Sequence, residues 1–180
     1  MRWSQLKQRV AANFAPRVRG RIQLFQTRHR RAADSFGEAW VVIDGKRRYS
    51  WSDITFIKAE AAGYRADDAR MRGENRAREE CFGASRRVLG DLEARGVAMR
   101  WQIERLLLES LSLSVERQLK HRSPIVRGLA VLDRRCGKRR LATIDAAAEH
   151  PFVQGMFELR CAAEGIKSRI EARAERGPRA

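Results

Sequence analysis

Residues 39–51, Ala-Trp-Val-Val-Ile-Asp-Gly-Lys-Arg-Arg-Tyr-Ser-Trp, carry the strongest strand signal in the chain. The stretch opens with a run of apolar and β-branched residues, which is typical of a strand. The dipeptide Asp44-Gly45 follows, and it favours a two-residue turn of type I′ because both residues tolerate positive φ. Residues 46–51 then supply a return strand. The stretch therefore predicts an antiparallel hairpin.

The sequence before this hairpin predicts one more strand and a helix. Residues 20–28 alternate with a period of two, as a half-buried strand does. Residues 4–14 have apolar side chains at helical spacing, and Pro16 ends this helix. We therefore expect a small antiparallel sheet of three strands that packs on the first helix.

The residues after the hairpin carry helical patterns. One helix is predicted to begin at Ser52-Asp53, a second covers 76–95, and a third is predicted as one continuous helix over 100–120. A weak internal repeat follows, because residues 123–132 align with residues 150–159 and share Pro, Val, Gly and Leu. Each copy is expected to begin a helix at its Pro and to place its Gly where a neighbour approaches closely.

The order of these elements predicts an α+β fold, with an N-terminal helix and a small three-stranded antiparallel sheet followed by a mainly helical body. We expect residues 1–57 to form the helix and sheet unit. Residues 58–170 are expected to form the helical body, packed with that unit as one domain. The charged residues 171–180 are predicted to form a frayed tail.

The composition excludes several classes of protein. The chain has 180 residues, of which 43% are hydrophobic, so a core can be buried and full disorder is excluded. No run approaches the roughly 18 apolar residues of a membrane span. The N-terminus lacks the apolar segment of a signal peptide. The three cysteines have no metal-ligand spacing, so we expect a cytoplasmic protein with reduced thiols, no membrane contact and no cofactor.

The net charge of +16 comes from 38 Lys and Arg residues against 22 Asp and Glu residues. A GC-rich genome accounts for the preference for Arg over Lys but not for the excess of positive charge. Residues 1–50 contribute +9, residues 51–120 contribute +1 and residues 121–180 contribute +6. An excess of this size predicts an anionic partner that is bound by the two ends of the chain.

The first basic region lies in the helix and sheet unit. Its candidate polyanion-binding residues are Arg19, Arg21, Arg30, Arg31, Arg47 and Arg48. Arg19 and Arg21 are predicted to alternate along a strand and to share a face. Aromatic residues are interleaved with these cations, and a sheet with exposed aromatics and flanking arginines can hold single-stranded nucleic acid. For Phe25 and Trp40 we favour the other interpretation, which places them in the core between the sheet and the first helix.

The second basic region is the segment 134–140, which has five cations in seven residues. Arg134 and Arg135 are expected in the last turn of a helix over 123–136, where cations complement the helix dipole. Its candidate polyanion-binding residues lie past that helix end, namely Lys138, Arg139 and Arg140.

Asp44 and Lys46 allow a catalytic interpretation. An acidic residue, one intervening residue and a Lys on a hairpin occur in metal-dependent nucleases, where the carboxylate holds Mg²⁺ and the Lys steadies the attacking water. Asp34 or Glu38 would supply the second carboxylate. We favour the simpler interpretation, in which Asp44-Gly45 is only the turn, and we assign no catalytic or metal-binding residue.

Three segments resemble a family of uncharacterised bacterial proteins of about 180 residues. They are Trp3-Ser4-Gln5-Leu6-Lys7, the hairpin from Trp40 to Tyr49, and Leu132-Asp133-Arg134-Arg135-Cys136-Gly137-Lys138-Arg139-Arg140-Leu141. The last segment is the most specific. The resemblance spans most of the chain and implies a bacterial source, but it implies no activity.

The sequence therefore favours a non-enzymatic basic module that binds nucleic acid or another polyanion. One alternative is a protein–protein adaptor, whose basic faces dock on an acidic partner and whose C-terminal repeat supplies a helical surface. The other alternative is the Mg²⁺-dependent nuclease centred on Asp44 and Lys46.

Overall fold

A computed structural model describes residues 1–29, 36–73 and 81–166, and it confirms the predicted α+β fold class. The N-terminal half contains α1 (Trp3–Asn13), α2 (Pro16–Arg19), β1 (Ile22–Arg28), β2 (Gly37–Ile43), β3 (Lys46–Ser52) and α3 (Asp53–Gly73). The body continues with α4 (Cys81–Ala94), α5 (Arg100–Ser112), α6 (Val115–Leu119), α7 (Pro124–Leu132), α8 (Lys138–Leu141), a 3₁₀ turn (Ala146–Ala148) and α9 (Pro151–Glu164).

The sheet is antiparallel with strand order β1-β2-β3, as predicted. Asp44 has φ +50° and Gly45 has φ +76°, which confirms a turn with two left-handed residues. Leu24 lies opposite Val41 and Phe25 lies opposite Trp40. Because paired residues share a face and successive residues alternate, the register places the first pair on one face of the sheet and the second pair on the other.

The inner face of the sheet packs into the main hydrophobic core. It contributes Ile22, Leu24, Ala39, Val41 and Trp51, all of which are buried. The same core contains side chains from α1, α5, α7 and α9. The ring of Phe152 in α9 contacts the sheet edge-on, with its centroid 4.9 Å from that of Tyr49 and 5.5 Å from that of Trp51.

Asp53 joins three elements at the edge of this core. It is only 6% exposed. Its Oδ2 accepts a hydrogen bond of 2.7 Å from the backbone N–H of Gly37, and its Oδ1 accepts one of 2.7 Å from the N–H of Arg100. The first residue of α3 therefore fixes the start of β2 and the start of α5.

The predicted continuous helix over 100–120 is wrong, because it is broken at Leu113 and Ser114 into α5 and α6. The Ser114 hydroxyl accepts from the N–H of Arg117 at 3.3 Å and so caps the new helix. The buried Gln118 amide then donates to the carbonyls of Ser110 and Leu113, at 2.6 and 3.1 Å. These bonds satisfy carbonyls that the break leaves without helical partners.

The first copy of the internal repeat forms the N-cap and the whole of α7, and the second forms the N-cap and the first nine residues of α9. The two helices pack against each other. A Cβ at Gly128 would lie 2.4 Å from Cε1 of Phe152, and one at Gly155 would lie 2.0 Å from Oη of Tyr49. Both glycines therefore permit close approach, as predicted. In α7 every residue is buried except Arg127, so this copy does not offer the helical surface that the adaptor interpretation expects.

Candidate nucleic-acid interface

The outer face of the sheet carries a stacked aromatic pair. The Phe25 and Trp40 rings have centroids 5.6 Å apart and planes inclined by 12°. By strand register the outer face consists of Gln23, Phe25, Thr27, Glu38, Trp40, Val42, Arg47, Ser50 and Ser52. Apart from the stacked pair and Val42, these side chains are polar or charged, as on a solvated face.

Phe25 and Trp40 are not in the core, so the interpretation that we favoured from the sequence is wrong for both. Each ring is only partly buried, and neither belongs to a core cluster of the described residues. Strand alternation is the cause, because burial of Leu24 and Val41 turns their neighbours outward. Two large aromatic surfaces therefore lie on the solvent side of the sheet.

A cation lies over each of these rings. The Lys7 ammonium, from α1, is 5.5 Å from the Phe25 centroid, and the Arg47 guanidinium is 4.9 Å from the Trp40 centroid. Arg47 also forms an ion pair with Glu38 on the same face. Lys7 makes no ion pair with any residue in the described ranges. The face thus combines stacking surfaces with positive charge, although Glu38 offsets part of that charge.

A shallow groove of about 200 Å³ opens between α1 and β1 beside the aromatic pair. Its lining is Lys7, Gln8, Ala11, Ile22, Gln23, Leu24 and Phe25. The amides of Gln8 and Gln23 are exposed, so they can donate and accept hydrogen bonds at the rim. The groove therefore adds polar groups next to the Phe25 ring.

Two arginines of the first basic region make hydrogen bonds within the fold. Arg19 donates to the carbonyls of Ala12 and Phe14, at 2.8 and 3.3 Å, and so satisfies the end of α1. Arg21 donates two hydrogen bonds to the Asp44 carboxylate, at 2.8 and 2.6 Å. The prediction that Arg19 and Arg21 share a strand face is wrong, because Arg19 ends α2 and β1 begins only at Ile22.

The remaining residues of this region differ in what they contact. Arg48 lies at a register shift in the pairing of β2 with β3, is exposed, and makes no hydrogen bond or ion pair with the described part of the chain. Arg30 and Arg31 lie outside the described residues. Arg47 and Arg48 are therefore the arginines of the first region that the structure places at the sheet surface.

The second basic region surrounds α8. Arg140 donates to Glu116 at 2.5 Å, and Lys138 donates to the Glu164 carbonyl at 3.3 Å. Arg139 is exposed and makes no hydrogen bond or ion pair with residues in the described ranges. It is thus the only one of the three predicted cations here that has no partner within those ranges.

The expected role of Arg134 and Arg135 at a helix end is wrong, because α7 ends at Leu132. Asp133 ends the helix, and its carboxylate accepts from the Arg135 side chain, with the shortest distance at 2.7 Å. The Arg134 N–H donates to the Asn13 carbonyl at 2.8 Å, so this segment lies beside the end of α1. The C-terminal end of α1 thus contacts both basic regions, since Arg19 also donates to carbonyls there.

A model of the SF0329 protein family matches residues 2–161. The chain belongs to the SF0329 protein family. The match covers the sheet, the aromatic pair and both basic regions, and it confirms the family resemblance over most of the chain. No curated protein and no solved structure matches this SF0329 protein.

The surroundings of Asp44 in this SF0329 protein favour a turn. Hydrogen bonds from Arg21 hold the pKa of the Asp44 carboxyl below its ordinary value. Glu38 pairs with Arg47, and Asp34 lies outside the described residues. The described ranges contain no group of three or more His, Cys, Asp and Glu residues that would hold a metal ion. The residues around Asp44 therefore add no support to the nuclease interpretation.

Two further observations concern a buried thiol and the helices of this SF0329 protein. Burial raises the pKa of the Cys136 thiol and so favours its protonated form. Within the described residues, no helix is both long and apolar enough to cross a membrane.

Proposed function

We propose that this SF0329 protein is a non-enzymatic module that binds nucleic acid, and that the outer face of its sheet holds a single strand of DNA or RNA. The observation that carries this proposal is the stacked Phe25–Trp40 pair on the solvent side of the sheet, with Lys7 and Arg47 over the two rings.

Stacking supplies the sequence-tolerant part of the binding. Every base has an aromatic face, and a base stacked on an aromatic side chain contributes about 1–3 kcal/mol. Lys7 and Arg47 lie over the rings of this pair, so an unpaired base would stack on a ring in place of its cation, and the displaced side chain would turn to a phosphate. Bases in a duplex are already stacked on each other, so the same surface favours single strands over duplexes.

Electrostatic attraction to the phosphates supplies the remaining part of the binding. Lys7, Arg47 and the neighbouring Arg48 lie where they can contact the phosphates of a strand that crosses the face. Glu38 does not prevent this, because Arg47 can exchange an exposed ion pair for a phosphate at little cost. Arg139 is the candidate for an additional phosphate contact from the second basic region.

The first test compares single-stranded oligonucleotides with a duplex of the same length by fluorescence anisotropy across a salt series. We expect tighter binding of the single strands, and an affinity that falls as salt rises because cations on the protein displace counterions from phosphates. A lack of binding at ~50 mM salt, or an affinity independent of salt, overturns the proposal.

Substitutions then assign the binding to the sheet face. Trp40→Ala removes one stacking surface and is expected to weaken binding of single strands roughly tenfold, since 1.4 kcal/mol is a factor of ten. Trp40→Phe keeps a ring and should lose less. The matched control is Trp101→Ala, because Trp101 is 50% exposed but lies on α5. Equal losses for Trp40→Ala and Trp101→Ala would contradict a site on the sheet.

A further inference from the structure

Helix α3 presents a second apolar surface that faces solvent. Ile54 is 50% exposed, and Ile57 and Tyr64 are each 36% exposed. Together with Ala61 they follow spacings of three, four and three residues, which places them on one stripe of the helix. Position 68 continues this spacing and is Asp, so the apolar stripe ends at Tyr64.

The opposite side of α3 is already occupied. Phe56 is buried with Val88 and Leu92 of α4 in a small core cluster. A Cβ at Gly63 would lie 2.7 Å from Cγ1 of Val88, so the two helices are in close contact there. The exposed stripe is therefore not the face that holds α3 to its own chain.

Charged residues flank the stripe with a different sign on each side. At 100° per residue, Lys58 and Arg65 lie on one flank and Glu60 lies on the other. None of their three side chains makes a hydrogen bond or ion pair with a residue in the described ranges. The charges beside the stripe are thus available to a partner.

We propose that α3 pairs with α3 of a second copy of this chain, in a parallel coiled coil with two-fold symmetry. In the heptad that Ile54, Ile57, Ala61 and Tyr64 define, Glu60 occupies a g position and Arg65 the following e position. A parallel pair brings each g residue beside the partner's next e residue. Glu60 of one protomer then meets the partner's Arg65, and the symmetry repeats that pair.

The charge pattern also decides the direction of pairing. In an antiparallel coiled coil, g positions face g positions and e positions face e positions. With the two stripes overlapped, that arrangement would set Glu60 against the partner's Glu60 and Lys58 against the partner's Lys58. Only the parallel arrangement therefore makes the flanks complementary.

Because the stripe has only four positions, the dimer is expected to be weak and to depend on concentration. Sedimentation velocity of the full chain between ~5 and ~500 µM is expected to show a monomer that shifts to a dimer. Ile57→Asp should weaken the dimer about tenfold or more. Circular dichroism of that variant checks that it is folded. A chain that stays monomeric throughout this range overturns the proposal.

A charge exchange separates this surface from any other dimer interface. Glu60→Arg alone and Arg65→Glu alone each place like charges at both contacts, and each should weaken self-association by about three- to tenfold. A mixture of the two variants restores opposite charges at both contacts, so it should form heterodimers at least as tightly as the unmodified chain. If the mixture associates no better than either variant alone, a parallel α3 pair is wrong.

Discussion

Replacing Asp53 with Ala removes the carboxylate that joins β2, α3 and α5. Two backbone N–H groups lose their acceptor, one on Gly37 and one on Arg100, and both hydrogen bonds are 2.7 Å long. A hydrogen bond to a charged group contributes about 1.5–3 kcal/mol, and more is lost when the donor stays buried. We therefore expect Asp53→Ala to lower the free energy of unfolding by about 3–5 kcal/mol.

Asp53→Asn keeps one oxygen acceptor but turns its NH₂ group toward the second donor, so we expect a loss of about 1.5–3 kcal/mol. Urea denaturation followed by circular dichroism measures the free energy of unfolding of both variants. The dependence of that free energy on urea concentration should be the same as in the unmodified protein. The matched control is Asp145→Asn, because Asp145 is exposed and makes no side-chain cap, and it should change stability by less than about 0.5 kcal/mol. A loss below about 1 kcal/mol for Asp53→Ala would refute the role given to this carboxylate.

Three further predictions follow from packing and titration. Gly128→Ala places a Cβ 2.4 Å from a Phe152 ring carbon and should cost about 1–3 kcal/mol in thermal or urea unfolding, whereas Gly20→Ala, with nothing within 4 Å, should be neutral. Hydrogen bonds from Arg21 lower the pKa of the Asp44 carboxyl, so the stabilisation from this carboxylate is present above its ordinary pKa and is lost as pH falls through the lowered value. An NMR titration midpoint at or above the ordinary Asp value would contradict this. Burial raises the pKa of the Cys136 thiol, so this thiol should react with a thiol reagent only after unfolding. Mass spectrometry that finds Cys136 modified in the folded protein would contradict its burial.

The hairpin and the sheet were predictable because they depend on local signals. Asp44-Gly45 specifies a turn by its own backbone preferences, and alternation in the strands specifies which residues share a face. Alternation does not say which face is buried when both faces carry large apolar residues. Leu24 and Phe25 are both candidates for the core, and the choice depends on helices distant in sequence.

Helix boundaries were less predictable for the same reason. The apolar stripe of α5 runs on into Val115, and only the capping hydroxyl of Ser114 and the buried amide of Gln118 account for the break. The end of α7 depends on contacts with the chain after α1, since the Ala15 N–H donates to the Leu132 carbonyl at 2.9 Å. Residue spacing within one helix does not report such distant partners.

The sequence identified the basic residues, but it did not predict what each of them contacts. Arg19 and Arg21 resemble Arg47 and Arg48 in the sequence, yet the first two bind a helix end and a turn. The sequence does not distinguish an exposed arginine from one whose side chain donates to a backbone carbonyl. That difference is visible only in the folded structure. Lys7, whose ammonium lies over the Phe25 ring, is not among the basic residues that the sequence singles out.

The four tryptophans offer the most direct test of the proposed sheet interface. A ¹H–¹⁵N NMR titration with a short oligothymidylate follows their indole N–H signals separately. A strand stacked on the outer face of the sheet should shift the Trp40 signal, whereas the signal of Trp51, whose indole donates to the Gly96 carbonyl at 2.9 Å, should stay in place. Binding that leaves the Trp40 signal unchanged would contradict a strand stacked on the outer face of the sheet.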